Sequence, residues 1–277
     1  MPTAATTSSH IPSIFAALRA RNAKALMPFI CGGHPRPGDT ARILPALEKA
    51  GASIVEIGFP FSDPIADGPV IAAAMHEVLK LGVTPHTVLA EIKQARANGT
   101  KLGIVAMVSI SIVHRFGAPR FIAESKAAGI DGFIFPDVPL EEAGDLVARS
   151  RDAGLTASLL VAPSTDPARA AKIAAACSGF VYLLARAGIT GESGTGVAAD
   201  QIAARVAMLR NVTDLPIACG FGIATAADVR AVVHQGSADA AIVGSALVRR
   251  LSDAALKSAD PVAAAEQFTR ELAAGLN

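Results

Sequence analysis

Short apolar runs alternate along the chain with longer segments in which apolar residues recur at three- and four-residue steps. The segments, such as ARILPALEKAG and DQIAARVAMLR, have the spacing of amphipathic helices. The runs have strand length and lie at residues 26–31, 53–59, 102–108, 132–137, 157–162, 180–185, 216–221 and 240–245. Strands that alternate with helices in this way predict right-handed βαβ units in a parallel sheet.

Eight such units predict an α/β fold in which the strands close into a (β/α)₈ or TIM barrel. Extra helices are expected at the N-terminus, after the second strand and at the C-terminus. We expect residues 1–277 to form one domain, because no linker or change of composition divides the chain. A doubly wound open sheet is the structural alternative, but no strand leads into a GxGxxG motif.

Composition excludes several classes of function. The formal net charge is +1, from 25 basic and 24 acidic residues, which argues against a broad surface for nucleic acid or anionic lipid. The apolar runs are too short to span a bilayer and no secretory signal is evident, so we expect a cytoplasmic protein. No metal site is expected, because the six histidines and the cysteines Cys31, Cys177 and Cys219 lack metal-binding spacing.

Acidic residues cluster after the second strand, where residues 56–71 read EIGFPFSDPIADGPVI. Alternation along the strand places Glu56 inside the barrel near its mouth, where the catalytic groups of such barrels lie. Burial would raise the pKa of this carboxyl, which suits a group that gives and takes a proton near neutrality. The alternative for Glu56 is a salt bridge to a basic residue inside the barrel. The alternative for Asp67 is a helix-capping role, and Asp63 is typical of a turn residue of the same kind.

Glycine-rich segments follow the last three predicted strands. CGFGI at residues 219–223 and IVGSALVRR at residues 242–250 stand where barrels bind phosphate through backbone N–H groups and a helix N-terminus. Their alternative is a pair of tight turns that need glycine. The loop ARAGITGESGTG, after the sixth strand, is either a lid that closes over substrate or a loop without a role.

The stretch EIGFPFSDPIADGPVI resembles the signature of the tryptophan synthase alpha subunit family. PFICGGHP, DVPLEEA, YLLARAGITG, GFGI and GSALV resemble further motifs of that family in its order. The resemblance implies a lyase that cleaves indole-3-glycerol phosphate by a retro-aldol reaction to indole and glyceraldehyde 3-phosphate. It implies no cofactor for this step. It also implies a pyridoxal-phosphate beta subunit as the partner, in an alpha2beta2 complex that makes tryptophan.

The resemblance also implies roles for individual residues. Glu56 matches the general acid/base, Asp67 the second catalytic carboxylate, and Thr190 the lid residue that meets Asp67. The walls around the indole ring match Phe29, Tyr182 and Phe221. The phosphate-site positions match Gly191, Gly222, Gly244 and Ser245.

Two segments depart from the family pattern. His34 stands where the family usually has Asp, and residues 109–112 read Ser-Ile-Ser-Ile where the family usually has Tyr-Tyr-Asn-Pro. The second segment lies in a region that faces the beta subunit in the family, so it affects the partner interface more than the chemistry. Phe59, Phe61 and Ile65 are expected to contribute to that interface. A stand-alone indole-releasing lyase, a non-catalytic activating subunit and a different phosphosugar barrel remain alternatives.

Overall fold

Nine parallel strands form a single, nearly closed sheet in the computed structural model, which describes residues 9–64, 67–185, 198–220 and 222–277. The strand order is β5-β4-β3-β2-β1-β9-β8-β7-β6. The strands are β1 Ala25–Cys31, β2 Ile54–Gly58, β3 Gly103–Met107, β4 Gly132–Ile134, β5 Thr156–Ser158, β6 Leu160–Val161, β7 Val181–Leu184, β8 Ile217–Gly220 and β9 Ala240–Val243. The prediction of a TIM barrel is confirmed.

The predicted fifth strand is divided into β5 and β6. The two parts are separated at Leu159, and they pair with different neighbours, β5 with β4 and β6 with β7. The chain therefore joins the two edges of the sheet at this point, and the eight predicted strand positions surround one interior.

Helices cover the outside of the sheet, and most follow the predicted pattern. They are α1 Ile11–Ala20, α2 Asp39–Lys49, α3 Pro69–Lys80, α4 Pro85–Ala97, α5 Ile110–Phe116, α6 Ala118–Ala128, α7 Gly144–Asp152, α8 Pro167–Ala176, α9 Ala199–Arg210, α10 Ala226–Arg230, α11 Ser245–Leu256 and α12 Pro261–Ala273. A π-helical turn, Ala231–Gln235, extends α10, and a 3₁₀ turn, Ala274–Leu276, follows α12. None of the described helices is long and apolar enough to cross a membrane.

Helix α5 is an element that the sequence pattern did not predict. Its first residues alternate polar and β-branched types, which is typical of a strand. Ser109 caps the helix by accepting a hydrogen bond from the Ser111 N–H at 3.2 Å. Asp137, from the end of the next strand, accepts from the Ser109 hydroxyl at 2.6 Å and the Ile110 N–H at 3.0 Å. A contact distant in sequence therefore stabilises the start of this helix.

The barrel interior is filled by side chains from alternate strand positions and is covered at its N-terminal end by α1. The interior cluster comprises Ile11, Phe15, Leu18, Ala25, Met27, Ile54, Val105, Ile134, Phe180, Tyr182, Ala218, Ala240 and Ile242. Along β2, Ile54 belongs to this cluster, whereas Val55 and Ile57 pack in the layer between sheet and helices. Glu56, two residues after Ile54, therefore faces the interior as predicted.

A saturated polar cluster holds the N-terminal end of the barrel together. The Asp131 carboxylate is 5% exposed and accepts hydrogen bonds from the Arg96 guanidinium at 2.7 Å and the Ile104 N–H at 2.8 Å. It also accepts from the His10 N–H at 3.1 Å. Arg96 donates further to the Gly129 carbonyl at 2.9 Å. Both buried charges therefore have several partners.

Candidate active site

A cleft at the C-terminal ends of the strands brings together the described residues that the sequence singles out. The cleft is open to solvent on one side. The lining residues are Phe29, Glu56, Asp67, Ile71, Met107, Tyr182, Gly222, Ile223, Ile242, Gly244 and Ser245. Two acids, two aromatic rings and a helix N-terminus thus share one cavity.

Glu56 lies on β2 with its side chain completely buried. The strand register places it beside Phe29 of β1 and Val105 of β3. Neither carboxyl oxygen has a hydrogen-bond partner among the described residues. Burial raises the pKa of Glu56 well above its ordinary value, because the charged form would lose its hydration. Within the described part of the chain, a salt bridge does not account for this residue.

Asp67 is half-buried at the approach to α3. The N-cap of α3 is Gly68 and its first residue is Pro69, so Asp67 stands one position before the cap. Burial raises the pKa of its carboxyl from 3.8 to about 6. Asp63 differs, because it is exposed and accepts a hydrogen bond from the Ser62 hydroxyl at 2.6 Å, as a turn residue does. The structure thus brings Asp67, and not Asp63, into the cleft with Glu56.

Two glycines make room for the aromatic walls of the cleft. A Cβ atom at Gly58 would lie 2.5 Å from the Phe29 ring, and one at Gly220 would lie 2.6 Å from the Tyr182 hydroxyl. Both distances are far below van der Waals contact, so any larger residue would displace a ring. Phe29 and Tyr182 are each 3% exposed. Glycine at these two positions is therefore needed to accommodate the two rings.

The other end of the cleft is formed by Gly222, Gly244 and Ser245. Ser245 is the first residue of α11, where helical N–H groups have no partner within the helix and attract anions. A Cβ atom at Gly244 would meet Phe29 and Ile71 at 3.7 Å, which is ordinary contact. The protein itself therefore tolerates a side chain at this position, but the side chain would reduce the space available to a ligand.

Several predicted residues lie outside the part of the chain that the structure describes. They are Ile65, Thr190, Gly191 and Phe221, together with most of the predicted lid, ARAGITGESGTG.

Sequence reasoning missed the apolar residues Ile71, Met107, Ile223 and Ile242 of the cleft. Strand alternation could have indicated two of them. Met107 lies on the same face of β3 as Val105, and Ile242 lies two residues before Gly244. An apolar side chain that lines a cleft, however, looks the same in sequence as one that fills a core.

A second cavity of about 370 Å³ adjoins the cleft. Its lining residues are Phe59, Phe61, Asp63, Pro64, Asp67, Met75, Met107, Val108, Ser109, Pro136 and Asp137. Asp67 and Met107 line both cavities. The expectation that Phe59 is available to a partner is wrong, because its side chain is buried and its ring meets the Phe121 ring edge-on at 5.5 Å.

His34, a departure from the family pattern, is completely buried near the ends of two helices. Its Nε2 atom lies 3.2 Å from the Ser252 hydroxyl on α11 and 3.7 Å from the exposed Glu77 carboxylate on α3. Nδ1 has no hydrogen-bond partner among the described residues. Burial lowers the pKa of His34 from 6.5 to about 4, so the imidazole is neutral at pH 7.

Cys31, Cys177 and Cys219 are free, buried thiols, and burial raises the pKa of Cys177 to about 11. Within residues 9–64, 67–185, 198–220 and 222–277, no three His, Cys, Asp or Glu side chains are grouped so that they could hold a metal ion.

Comparisons with known proteins agree over nearly the whole chain. The family model described as tryptophan synthase alpha chain matches residues 15–277. The tryptophan synthase alpha chain of Polynucleobacter necessarius is 40% identical, over 95% of this chain and 97% of its own. That of Burkholderia pseudomallei strain 1106a is 39% identical, over 97% of each.

Solved structures give the same result. Tryptophan synthase subunit alpha from Legionella pneumophila superposes with a TM-score of 0.88 at 28% identity, covering 98% of this chain and 99% of its own. A chain of Mycobacterium tuberculosis tryptophan synthase gives a TM-score of 0.85 at 33% identity, with the same coverage. With its barrel, its acids at the mouth and this similarity, the chain belongs to the tryptophan synthase alpha chain family.

Proposed function

We propose that Glu56 transfers the protons in the reaction of this family, the cleavage of indole-3-glycerol phosphate to indole and glyceraldehyde 3-phosphate. As a tryptophan synthase alpha chain, the protein is a lyase of tryptophan biosynthesis. The observation that carries the assignment is a completely buried carboxyl without a described hydrogen-bond partner, which shares its cleft with Asp67.

Because its pKa is raised, the Glu56 carboxyl can supply the proton with which cleavage begins. The protonated carboxyl donates its proton to C3 of the indole ring, which breaks the aromaticity of the pyrrole ring and makes the ring an electron sink. The resulting carboxylate then accepts the proton of the hydroxyl on the side-chain carbon bonded to C3. The electron pair of the breaking C–C bond returns to the ring, so that indole and an aldehyde form and Glu56 is protonated again. One group thus performs both transfers.

Asp67 stabilises the positive charge that develops on the ring nitrogen when C3 is protonated. With a pKa of about 6, its carboxyl is largely ionised at neutral pH, whereas burial raises the pKa of Glu56 well above its ordinary value and favours the protonated form. Burial thus acts differently on the two acids of one cleft, which assigns Glu56 to proton transfer and Asp67 to electrostatic stabilisation.

The remaining described residues of the cleft orient the substrate. The indole ring lies between Phe29 and Tyr182, and the phosphate binds to Gly222, Gly244 and Ser245 at the start of α11. Fixing both ends of the substrate places the breaking bond near the two acids, which contributes to rate through orientation. By the family resemblance, Phe221 completes the aromatic wall, Gly191 the phosphate site and Thr190 the contact of the lid with Asp67.

The partner that we propose is a tryptophan synthase beta subunit, in an alpha2beta2 complex in the cytoplasm. The alpha reaction needs no cofactor, and pyridoxal phosphate belongs to the beta subunit, which consumes indole. We expect slow cleavage by the isolated chain and at least a several-fold rise with its own beta subunit, because a partner that favours the closed state promotes cleavage. The altered segment, residues 109–112, is held by a hydrogen bond from the Ser109 hydroxyl to Asp137. A beta subunit from a family-typical pair should therefore activate cleavage less than the cognate one.

The decisive experiment measures indole release from indole-3-glycerol phosphate by the isolated chain and by the chain titrated with each beta subunit. Activity that is lost in Glu56→Gln and increased by the cognate partner supports the proposal. An isolated chain already at full rate, without response to its partner, would indicate a stand-alone lyase. No cleavage under any condition would indicate a non-catalytic subunit.

A further inference from the structure

We propose that Met107 determines which substituted indole rings the enzyme accepts, because its side chain separates the substrate cleft from the second cavity. The inference rests on the proposed function, in that it takes the cleft as the indole site. It starts from one juxtaposition, which is that Met107 and Asp67 line both cavities.

The backbone of Met107 is fixed, so its side chain is the part of this boundary that can change. Met107 ends β3, with Gly58 of β2 and Ile134 of β4 as its register partners. Its carbonyl accepts a hydrogen bond from the Phe59 N–H at 2.9 Å. The side chain is half-buried and contacts the interior apolar cluster. Methionine is unbranched and has three rotatable bonds, so it adapts its shape to what lies beside it.

The second cavity offers suitable surroundings for an enlarged ring. Its lining is largely apolar and includes Phe61, Val108 and Pro136. Its polar residues Asp63, Ser109 and Asp137 already take part in hydrogen bonds. A bromine or ethyl group passing the position of Met107 would therefore enter space that it can fill without burying an unpaired polar group.

The orientation of the ring identifies the substituents that Met107 would meet. If the ring N–H points at Asp67, the benzo carbon nearest the nitrogen, position 7, lies on the side of the boundary between the cavities. Position 4 lies next to C3, on the side of Glu56. Met107 should therefore control substituents at position 7 and have little influence on those at position 4.

The experiment compares kcat/KM for indole-3-glycerol phosphate and its 7-bromo and 4-bromo derivatives in the wild-type protein, Met107→Ala and Met107→Ile. Met107→Ala should raise the 7-bromo to unsubstituted ratio at least about tenfold, the scale set by small groups in apolar pockets. The 4-bromo ratio should stay unchanged. Met107→Ile, branched at Cβ and less adaptable, should lower the 7-bromo ratio. Phe61→Ala enlarges only the second cavity and should change neither ratio.

Binding of 7-bromoindole and 4-bromoindole, measured by calorimetry, keeps the inference testable apart from catalysis. Stronger relative binding of 7-bromoindole by Met107→Ala supports the inference even if no variant cleaves substrate, an outcome that would refute only the proposed function. Unchanged ratios in Met107→Ala, or the same gain at positions 4 and 7, would overturn it. An equal gain in Phe61→Ala would do so as well.

Discussion

Two buried carboxyl groups at opposite ends of the barrel have opposite surroundings. Asp131, at the N-terminal end, is 5% exposed and accepts hydrogen bonds from the Arg96 side chain and from the N–H groups of Ile104 and His10. Glu56, at the mouth, is 0% exposed, and neither of its oxygens has a described partner. Among the described residues, the same kind of group thus has several partners at one end of the barrel and none at the other.

This difference indicates that Asp131 contributes to stability and Glu56 to function. Pairing compensates for the lost hydration of a buried charge and fixes the group in one protonation state. An unpaired carboxyl avoids the cost of burying a charge by remaining protonated, which leaves a proton available for transfer. The closed end of the barrel therefore stabilises the fold, and the mouth retains the reactive group. This arrangement agrees with the general division of labour in TIM barrels.

The largest expected effect is on catalysis at the mouth. Glu56→Gln keeps the size of the side chain but cannot transfer the protons, so kcat should fall by about 10²–10⁴-fold. Urea titration should show an unfolding free energy no lower than that of the wild-type protein. Glu91→Gln is the matched control, because Glu91 is buried but accepts from the N–H groups of Gly38 and Thr40, away from the cleft. Near-normal turnover in a folded Glu56→Gln protein would refute the assignment.

The reciprocal change at the closed end should reduce stability instead. Asp131→Ala leaves the half-buried Arg96 charge without its carboxylate, which should lower the free energy of unfolding by up to about 3–5 kcal/mol. The kcat of the folded protein should stay within a few-fold of wild type. Urea titration and turnover are measured on the same preparation. A loss of kcat without a loss of stability would contradict the separation of the two ends.

His34 is an intermediate case, because one ring nitrogen has a hydrogen-bond partner and the other has none in the described part of the chain. Its pKa is lowered from 6.5 to about 4, so the unfolded chain takes up a proton within this window while the folded protein does not. The contribution of the neutral imidazole to stability is complete above pH 6.5 and is lost as the pH falls towards 4. Since a difference of one pKa unit corresponds to about 1.4 kcal/mol, the unfolding free energy should fall by roughly 3 kcal/mol over this pH range.

The variant His34→Gln isolates the contribution of His34 to the pH dependence of stability, because glutamine offers an amide in place of Nε2 but does not titrate. The difference in unfolding free energy between wild type and variant should decrease as the pH is lowered from 7 to 4. The other titrating groups are common to both proteins and cancel in the difference. A difference that does not vary with pH would show that His34 has the same pKa in the folded and the unfolded protein.

The smallest expected effects come from adding a side chain to a glycine at each end of the barrel. Gly244→Val should raise the KM for indole-3-glycerol phosphate about tenfold or more by occupying the cleft, with little loss of stability. At the closed end, a Cβ atom at Gly132 would lie 2.0 Å from the Thr156 hydroxyl oxygen. Gly132→Ala should therefore reduce stability and leave KM unchanged. An unchanged KM in Gly244→Val would place the phosphate elsewhere.

The sequence predicted the barrel well because its signals are local. Apolar runs and helical spacing are repeated through the chain, and all eight predicted strand positions are occupied in the structure, the fifth by two short strands. The break at Leu159 and helix α5 were missed, since both depend on partners far away in sequence. Asp137, for example, stabilises the start of α5 across 27 residues.

The acids of the site were also accessible from sequence, whereas the apolar lining was not. Glu56 is conspicuous because a carboxyl on the inward face of a strand is costly, and the family signature supported Asp67. Met107 is conspicuous only when the two cavities are seen on either side of it. Phe59 was expected to contribute to a partner interface because it lies in a loop at the barrel mouth, but packing against Phe121 buries it.

The central claim, that Glu56 holds its proton at neutral pH, can be tested directly by infrared difference spectroscopy. A protonated carboxyl absorbs apart from carboxylates, and isotope labelling of glutamate assigns the band to Glu56 or excludes it. We expect a protonated glutamate band at pH 7 that persists in Glu91→Gln and is absent from Glu56→Gln. A spectrum at pH 7 with only ionised glutamates would contradict it.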